Sequence, residues 1–434
     1  MSFPAYPDYK HSGIELLPEY PSHWALKRFK NVFEERAERS SDGSEELLSV
    51  SAYFGVKPRS ETLDEGDHLS RAESLEGYKV CRAGDLVINI MLAWNRGLGF
   101  SWQHGIVSPA YSVFHVTDGS YPKFLDYLVR SDEYIRYFKT HSAGIMDSRL
   151  RLYPESFGRL FSVIPPACEQ TQIARFLDHE TARIDALIEE QQRLIELLKE
   201  KRQAVISHAV TKGLDPTVPM KDSGVEWLGE VPAHWDVLPV WMLFQMGRGR
   251  VISHDEIAEN SGDYPVYSSQ TERDGVMGSI DTYDFEGDYL TWTTDGANAG
   301  TVFRRSGKFN CTNVCGTLLP KRKDDDLRYF VDAVGICTAA FIRHDINPKL
   351  MNNVMASIKV PVPPLMEQTA IAAYVSAFKD KETVLIQEAF TGISLLQERR
   401  SALISAAVTG KIDVRGWQPP VSTQAPESAV TEAL

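Results

Sequence analysis

The chain repeats itself. Ile164-Pro165-Pro166-Ala167-Cys168-Glu169-Gln170-Thr171-Gln172-Ile173-Ala174 returns as Val362-Pro363-Pro364-Leu365-Met366-Glu367-Gln368-Thr369-Ala370-Ile371-Ala372, 198 positions later. The likeness runs on without a gap to Ala209-Val210-Thr211 and Ala407-Val408-Thr409. Upstream of each copy stands a second repeat: Gly13-Ile14-Glu15 with Pro21-Ser22-His23-Trp24, and Gly224-Val225-Glu226 with Pro232-Ala233-His234-Trp235, offset by 211 positions. Self-similarity at so long a period means duplicated domains and not a solenoid of short units. Between the repeated blocks, residues 30–160 and 240–358 share almost no alignable identity. The order is module, helix, module, helix, with one framework carrying two unlike contents, as a device for reading two unlike targets requires.

Each repeat opens a long helix. Pro165-Pro166 and Pro363-Pro364 forbid helix upstream, and Glu169-Gln170 and Glu367-Gln368 put acidic and polar groups in the first turn, where the helix dipole favours them. Apolar residues then recur at steps of three and four: Ile173, Leu177, Ile184, Leu187, Ile188, Leu194, Ile195, Leu198, Val205 and Ala209. In the second copy they are Ile371, Val375, Phe378, Leu385, Ile386, Ile393, Leu396, Leu403 and Ala407. So sustained a stripe predicts a coiled-coil seam. Gly213, with Pro216 beyond it, and Gly410 supply the stops. Each helix is expected to run about 40 residues and so about 60 Å.

Length and composition leave room for two or three domains with cores of their own: 434 residues, 43% apolar and 24% charged. Met1 to Lys10 has neither a basic n-region nor an apolar h-region, and no apolar run approaches the roughly 20 residues needed to span a bilayer. A cytoplasmic location with no membrane partner is expected. Five cysteines at irregular spacing (Cys81, Cys168, Cys311, Cys315, Cys337) do not make a disulfide framework, and Cys311-x-x-x-Cys315 lacks the further ligands of a metal site. The net charge of -13 sets the mean field but not the placement of cations. Lys27-Arg28 with Lys30, Arg149 with Arg151, Arg248 with Arg250, Arg304-Arg305 with Lys308, and Lys321-Arg322-Lys323 are local basic clusters, to be read either as phosphate contacts or as solvated surface. Alone, so acidic a chain is expected to bind duplex DNA weakly, with partner subunits supplying much of the phosphate neutralisation.

These signals assemble into an α+β fold: two recognition domains of mixed α/β type joined by two long antiparallel coiled-coil helices with internal pseudo-twofold symmetry. The boundaries read 1–163 for the first recognition domain, 164–215 for the central helical region, 216–361 for the second recognition domain and 362–415 for the C-terminal helical region. Residues 416–434, rich in Pro, Ser, Thr and Ala, form a tail expected from Trp417 onward to be disordered. Two equivalent helices of one chain can pack about a twofold axis perpendicular to them, the local symmetry of duplex DNA. Readers so related would address half-sites on opposite strands, with the helices as a ruler for an unread spacer.

The paired PPxxEQxxIA blocks, each opening a long helix and each preceded by an unlike module, resemble the specificity subunit of type I restriction-modification systems over residues 10–415. The resemblance implies double-stranded DNA as ligand, two DNA adenine methyltransferase subunits as partners, and ATP-driven restriction subunits beside them. S-adenosylmethionine, ATP and magnesium are then expected in those partners, with no cofactor, catalytic residue or metal ligand in this chain. Gly84-Asp85-Leu86-Val87-Ile88-Asn89 in the first module and Thr293-Thr294-Asp295-Gly296-Ala297-Asn298 in the second are similar to two familiar target-domain types.

Candidate DNA contacts follow from side-chain chemistry. Asn89, Trp94 and Arg96 come after a strand expected over Asp85 to Ile90; Asn bridges an adenine edge and Arg a guanine edge. Gly296, Asn298 and Gly300 make a compact loop after a strand expected over Tyr289 to Thr293, where backbone N–H groups can approach a phosphate or base. Thr293, Ser51, Lys57, Arg59, Arg149, Ser268, Ser269 and Thr271 complete the set. His23-Trp24 and His234-Trp235 occupy one framework position and are expected to pack at the module entrances.

Two rival readings remain. A DNA methyltransferase with fused recognition domains needs a motif of the (N/D)PP(Y/F) kind, and Asn347-Pro348-Lys349 lacks the second Pro and the aromatic; nor is there a GxxxxGK(S/T) loop for ATP or an acidic metal cluster for a nuclease. A coiled-coil adaptor between proteins leaves unexplained why the frameworks are alike while the modules diverge.

Overall fold

The computed structural model describes residues 3–52, 54–62, 74–146, 149–342 and 348–420. The chain divides into two compact units: residues up to Gln191 together with those from Thr391 on, and Gln192–Phe390. The first unit is built from two separate stretches and the second from one, and both long helices contribute to both units.

In the first unit the chain enters its module through β1 (Ala25–Arg28) and continues through β2 (Phe33–Glu35), the hairpin of β3 (Leu48–Ser51) and β4 (Gly55–Pro58), then β5 (Leu86–Asn89), β6 (Leu98–Phe100) and β7 (Tyr111–Val116). Helices α1 (Pro122–Val129) and α2 (Asp132–Thr140) follow, and the chain leaves through β8 (Phe161–Ile164) into the long helix α3 (Ala167–Lys212). β1 and β8 pair antiparallel, Ala25 opposite Ile164, and close the module at its neck. The main sheet has the order β2-β7-β5-β6, antiparallel throughout.

The second unit repeats the plan. β9 (Asp236–Pro239) enters; β10 (Phe244–Arg248), β11 (Ser261–Tyr267), β12 (Val276–Ile280), β13 (Tyr289–Thr293), β14 (Val302–Arg305), β15 (Lys308–Cys311) and β16 (Cys315–Pro320) follow. After α4 (Leu327–Ala339), β17 (Lys359–Val362) leaves into the long helix α5 (Leu365–Val408). β9 pairs with β17, Asp236 opposite Val362. The sheet order β10-β16-β13-β14 matches β2-β7-β5-β6 element for element. Even the register agrees: Asn89 faces Tyr111 and Thr293 faces Cys315, in each case the last residue of one strand opposite the first of another. Two stretches without alignable identity therefore share a core sheet, because a core accepts any apolar side chains of suitable volume and pattern. What differs is grafted on. The first module carries the β3–β4 hairpin; the second carries a further sheet in which β11 pairs antiparallel with β12 and parallel with β15.

The repeated motif locks each module to its helix. Glu169, 7% exposed, accepts from Tyr6 Oη and Trp24 Nε1, both at 3.1 Å, and lies 2.7 Å from His23 Nε2. Glu367 receives Trp235 Nε1 at 2.9 Å and meets His234 Nε2 at 2.7 Å. The glutamine beside each glutamate reaches the opposite way. Gln170 Nε2 donates to Pro165 O (2.9 Å) while its Oε1 accepts from the N–H of Tyr121, the N-cap of α1 (2.6 Å). Gln368 makes the same pair of bonds, to Pro363 O (3.0 Å) and from the N–H of Asp326, the N-cap of α4 (2.9 Å).

The long helices start directly after the proline pairs, and Gly213 (φ +80°) stands just past the end of α3. At 46 and 44 residues they slightly exceed the expected length. Buried or half-buried positions step 184, 188, 191, 195, 198, 202 in α3 and 382, 386, 389, 393, 396, 400 in α5, the three-four spacing of a coiled coil. Leu187, Leu194 and Leu385, assigned to the seam by the sequence, are instead 39%, 42% and 41% exposed. The seam passes beside them, through the polar residues Gln191, Arg202, Glu382 and Arg400. In the first unit Asp185 pairs with Arg400 (2.8 Å) and Gln172 Nε2 donates to Val414 O (3.1 Å), so the two helical segments run antiparallel. In the second, Arg202 lies 3.5 Å from Glu382, while Ile206, Ala209 and Val210 share a core with Ile371 and Val375.

The packed chain extends past the boundary expected at 416. Trp417 meets the Phe176 ring at 5.3 Å, and its carbonyl accepts from Gln172 Nε2 (2.6 Å), because an indole has apolar area to bury whatever the composition around it. The rest of the expected tail, from residue 421, lies outside the described residues.

Glu169→Ala would strand the buried donors Trp24 Nε1 and Tyr6 Oη and is expected to cost about 3 kcal/mol. Glu367→Ala, at a carboxylate 41% exposed, should cost about 1 kcal/mol. Denaturant unfolding of the two variants checks the order, and equal losses would contradict it.

Candidate nucleic-acid interface

In the first module the candidates fall mainly on two loops held by the junction of α1 and α2. Ser51 stands at the turn of the β3–β4 hairpin, and exposed Lys57 holds its ammonium 5.6 Å from the Phe54 ring centre. Arg59 follows β4, its Nε buried without a hydrogen-bond partner. On the β5–β6 loop, Asn89 is 4% exposed and its Oδ1 accepts from Met91 N (3.1 Å). Trp94 Nε1 donates to Met91 O (3.0 Å), and Lys139 Nζ sits 5.2 Å from its ring centre. Arg96 adopts left-handed backbone (φ 62°), donates to Arg130 O (2.6 Å) and pairs with Asp132.

Arg130, which no sequence signal singles out, ties the two loops together. Its Nη2 donates to Ala52 O in the hairpin turn (3.3 Å), and a Cβ on Gly55 (φ +79°) would stand 2.2 Å from its Nη1. Glycine there gives both the turn and the approach. Burial lowers the Arg130 pKa and raises that of neighbouring Asp126, whose Oδ1 accepts from Phe100 N (3.0 Å). A cleft of about 810 Å³ opens alongside, lined by Phe54, Arg96, Lys123, Arg130, Asp132 and Arg400 among others. Arg149 is exposed on a third segment, joined to the β5–β6 loop through Leu152 N and Ile90 O (2.9 Å).

In the second module the β11–β12 loop carries Ser268, Ser269 and exposed Thr271, and the β13–β14 loop carries Asn298. Asn298 Nδ2 donates to Ser269 O (3.2 Å) and brings the two loops together. Thr293 is buried; its hydroxyl donates to Asn298 O and accepts from Thr301 N (3.2 Å). The β13–β14 loop stands where the β5–β6 loop stands in the first module, and the chemistry of the two is unlike.

Asn89 Oδ1, the Arg96 guanidinium and the Thr293 hydroxyl each bond within the module, so all three residues help to shape the loops on which they stand. Members of three of the basic clusters are taken up in ion pairs. Lys27 meets Asp118 (2.8 Å), Arg250 meets Glu256 (2.6 Å) and Asp284 (3.0 Å), and Arg305 meets Asp274 (2.7 Å). Cations adjacent in a strand point to opposite faces, so Arg304 is exposed while Arg305 turns inward.

Cys311 and Cys315 are buried where β15 ends and β16 begins, and burial pushes the Cys315 thiol up to about 11. Among the described residues no three His, Cys, Asp or Glu side chains gather as a metal site, and no helix is long and apolar enough to cross a membrane. Cys168 is exposed and the other four cysteines are buried, so a thiol reagent applied to the folded protein is expected to modify Cys168 alone. Mass spectrometry after native labelling reads this; equally prompt modification of Cys337 would count against the core described.

The sequence profile of the type I restriction modification DNA specificity domain matches residues 232–389. A Mycoplasma pneumoniae protein, named as the N-terminus of a type I specificity subunit, is 41% identical over 132 residues, 30% of this chain and 71% of its own length. The specificity subunit of the type I restriction enzyme MpnII from the same organism is 42% identical over 137 residues, 31% of this chain and 41% of that subunit. The chain spans less than half the length of several relatives it matches, 39% and 45% in two further cases. In fold it is similar to a chain from a structure described as underlying complex assembly and conformational transition of the type I R-M system, with a TM-score of 0.67 at 15% identity, covering 90% of this chain and 98% of the other.

Proposed function

This chain belongs to the family of type I restriction-modification specificity subunits, and from that premise we propose that it supplies sequence recognition to a DNA-modifying complex. Each module reads one half of an asymmetric bipartite site in duplex DNA. The long helices set the unread spacer and dock two DNA adenine methyltransferase subunits, which restriction subunits join. The chain itself is non-catalytic; S-adenosylmethionine, ATP and magnesium belong to the partners.

The observation that carries this reading is that one sheet, in one register, presents loops of unlike chemistry in the two modules. A packing framework has no reason to vary there, whereas a reader has every reason, since base-edge contacts specify sequence and the scaffold only positions them. Leu187 and Leu194 on α3 and Leu385 and Phe390 on α5 lie exposed, apolar surface of the kind that a protein partner covers. An adaptor would use those residues too, but it would leave the divergent loops without work. The net charge of -13 fits a reader whose affinity depends on partners that contact phosphate.

The neck strands give a clean place to test module independence, because Phe29 N donates to Leu160 O (2.8 Å) and Val240 N to Ile358 O (2.9 Å) at corresponding points. Exchanging residues 30–160 for those of a relative is expected to change one half-site and leave the other intact, read by genome-wide mapping of N6-methyladenine. Movement of both half-sites together would refute one reader per module.

The ruler is tested separately. Seven residues added between Gln191 and Leu198 keep the seam in phase and lengthen α3 by about 10 Å. The favoured spacer should then grow by up to a few base pairs, at about 3.4 Å each. Adding two residues puts the seam out of phase and should impair assembly instead. Normal assembly of the seven-residue variant with methylation only at the original spacing would show that something other than helix length sets the distance.

A further inference from the structure

We infer that Arg273 is a specificity-determining residue of the second module, presented to a base edge at the tip of the β11–β12 loop, and that the buried Arg305 positions it. The inference rests on the DNA-reading function proposed above and names the residues that execute it in one module.

Thr271, Glu272, Arg273 and Asp274 are all exposed and form the tip of this loop. Arg273 (φ 47°, ψ 41°) and Asp274 (φ 57°, ψ 29°) are consecutive non-glycine residues in the left-handed region. Such conformations cost on the order of 1 kcal/mol or more each and persist only where the surroundings dictate them. Here Arg305 does so. Its side chain is 2% exposed, its Nη1 lies 2.7 Å from Asp274 Oδ2 and its Nε 3.3 Å from Thr291 Oγ1. The guanidinium stacks 3.7 Å from the Tyr267 ring centre and 4.4 Å from that of Phe303. A buried cation is tolerated only with a partner, and the partner chosen is a loop-tip carboxylate that is itself 70% exposed. The loop is thereby fastened to the core by a charge that cannot be left alone.

The loop has no slack elsewhere. Ser268 N donates to Gly275 O (2.9 Å), Gln270 Nε2 bonds Val276 O, and Asn298 holds Ser269 from the neighbouring loop. A Cβ on Gly275 (φ +79°) would come within 3.1 Å of both Arg305 Nη2 and Gln270 O. Arg273 is therefore carried on a stiff, exposed turn whose backbone is already placed, which removes the backbone's share of the ordering cost of binding, and a guanidinium suits the paired acceptors of a guanine edge.

The test is selection of duplexes from a randomised library by the full-length chain in the complex purified from its host. The wild-type protein is expected to enrich a two-part motif. Arg273→Ala should lose preference about tenfold at one position of one part, leaving the other part unchanged. Arg305→Met should loosen the same position, and so should Asp274→Asn, which removes the charge opposite Arg305 but keeps an amide oxygen able to accept from it. An unchanged motif for Arg273→Ala overturns the inference, and so does equal weakening on every sequence with a shallower salt dependence, the mark of a phosphate contact. If Arg305→Met and Asp274→Asn lower the melting temperature while the motif stays as it was, the positioning role falls. Absence of any two-part motif for the wild type would instead defeat the function proposed for the whole chain.

Discussion

One carboxylate at the head of each long helix holds module, neck and helix in a single arrangement. Glu169 gathers an indole N–H, a phenol and an imidazole from the N-terminal segment, and Glu367 gathers the corresponding indole and imidazole. Both sit in the first turn, where backbone N–H groups favour negative charge. The buried Glu169 carboxylate must have donors and each buried indole N–H must have an acceptor, so at the first helix each satisfies a need that the other creates. The neighbouring glutamine extends the lock to the first helix after the sheet. Four elements are fixed by two adjacent side chains, which is why the motif recurs as a block.

The long helices are more than connectors, because their ends complete the modules. Ile206, Ala209 and Val210 of α3 lie in the second core, and Ala407 and Val408 of α5 lie in the first. Each helix ends against an entrance tryptophan: a Cβ on Gly213 would stand 3.2 Å from Trp235, and one on Gly410 2.4 Å from Pro21 and 3.1 Å from Trp24. Repeated residues thus make the base of each module, and the residues that differ run through the shared sheet to the loops at the far ends of its strands.

Much of this was legible in the sequence, because repetition marks what both modules need. The helix limits, the prolines that start them, the antiparallel partnership and the strand Tyr289–Thr293 could all be read from spacing and residue class. The shared sheet could not, since apolar alternation leaves no identity to align. Seam membership was misjudged where two apolar residues lie side by side: Leu187 beside Ile188 and Leu194 beside Ile195 offer equal hydrophobicity, and only the partner helix decides between them. Asn89, Arg96 and Thr293 show the same ambiguity at the loops. A side chain able to read a base is equally able to cap a turn. Arg130 and Arg305 were missed or misread because a buried arginine is recognised only by its partners, Ala52 O and Asp274, which lie far away along the chain.

The pair formed by Arg202 and Glu382 lies within an otherwise mainly apolar seam, and Glu382 is only 3% exposed. Two apolar helices could slide by a heptad at little loss, since one leucine or isoleucine fits much like the next. A slide of seven residues would set Glu382 opposite Ile195 or Ala209 and take it away from Arg202. In the native alignment Arg202 Nε lies 3.5 Å from the Glu382 carboxylate, whose oxygens make no hydrogen bond among the described residues, so that cation is what offsets the burial of its charge. The pair behaves as a notch in a measuring stick, adding little to how tightly the helices adhere and helping to mark where along their length they stop.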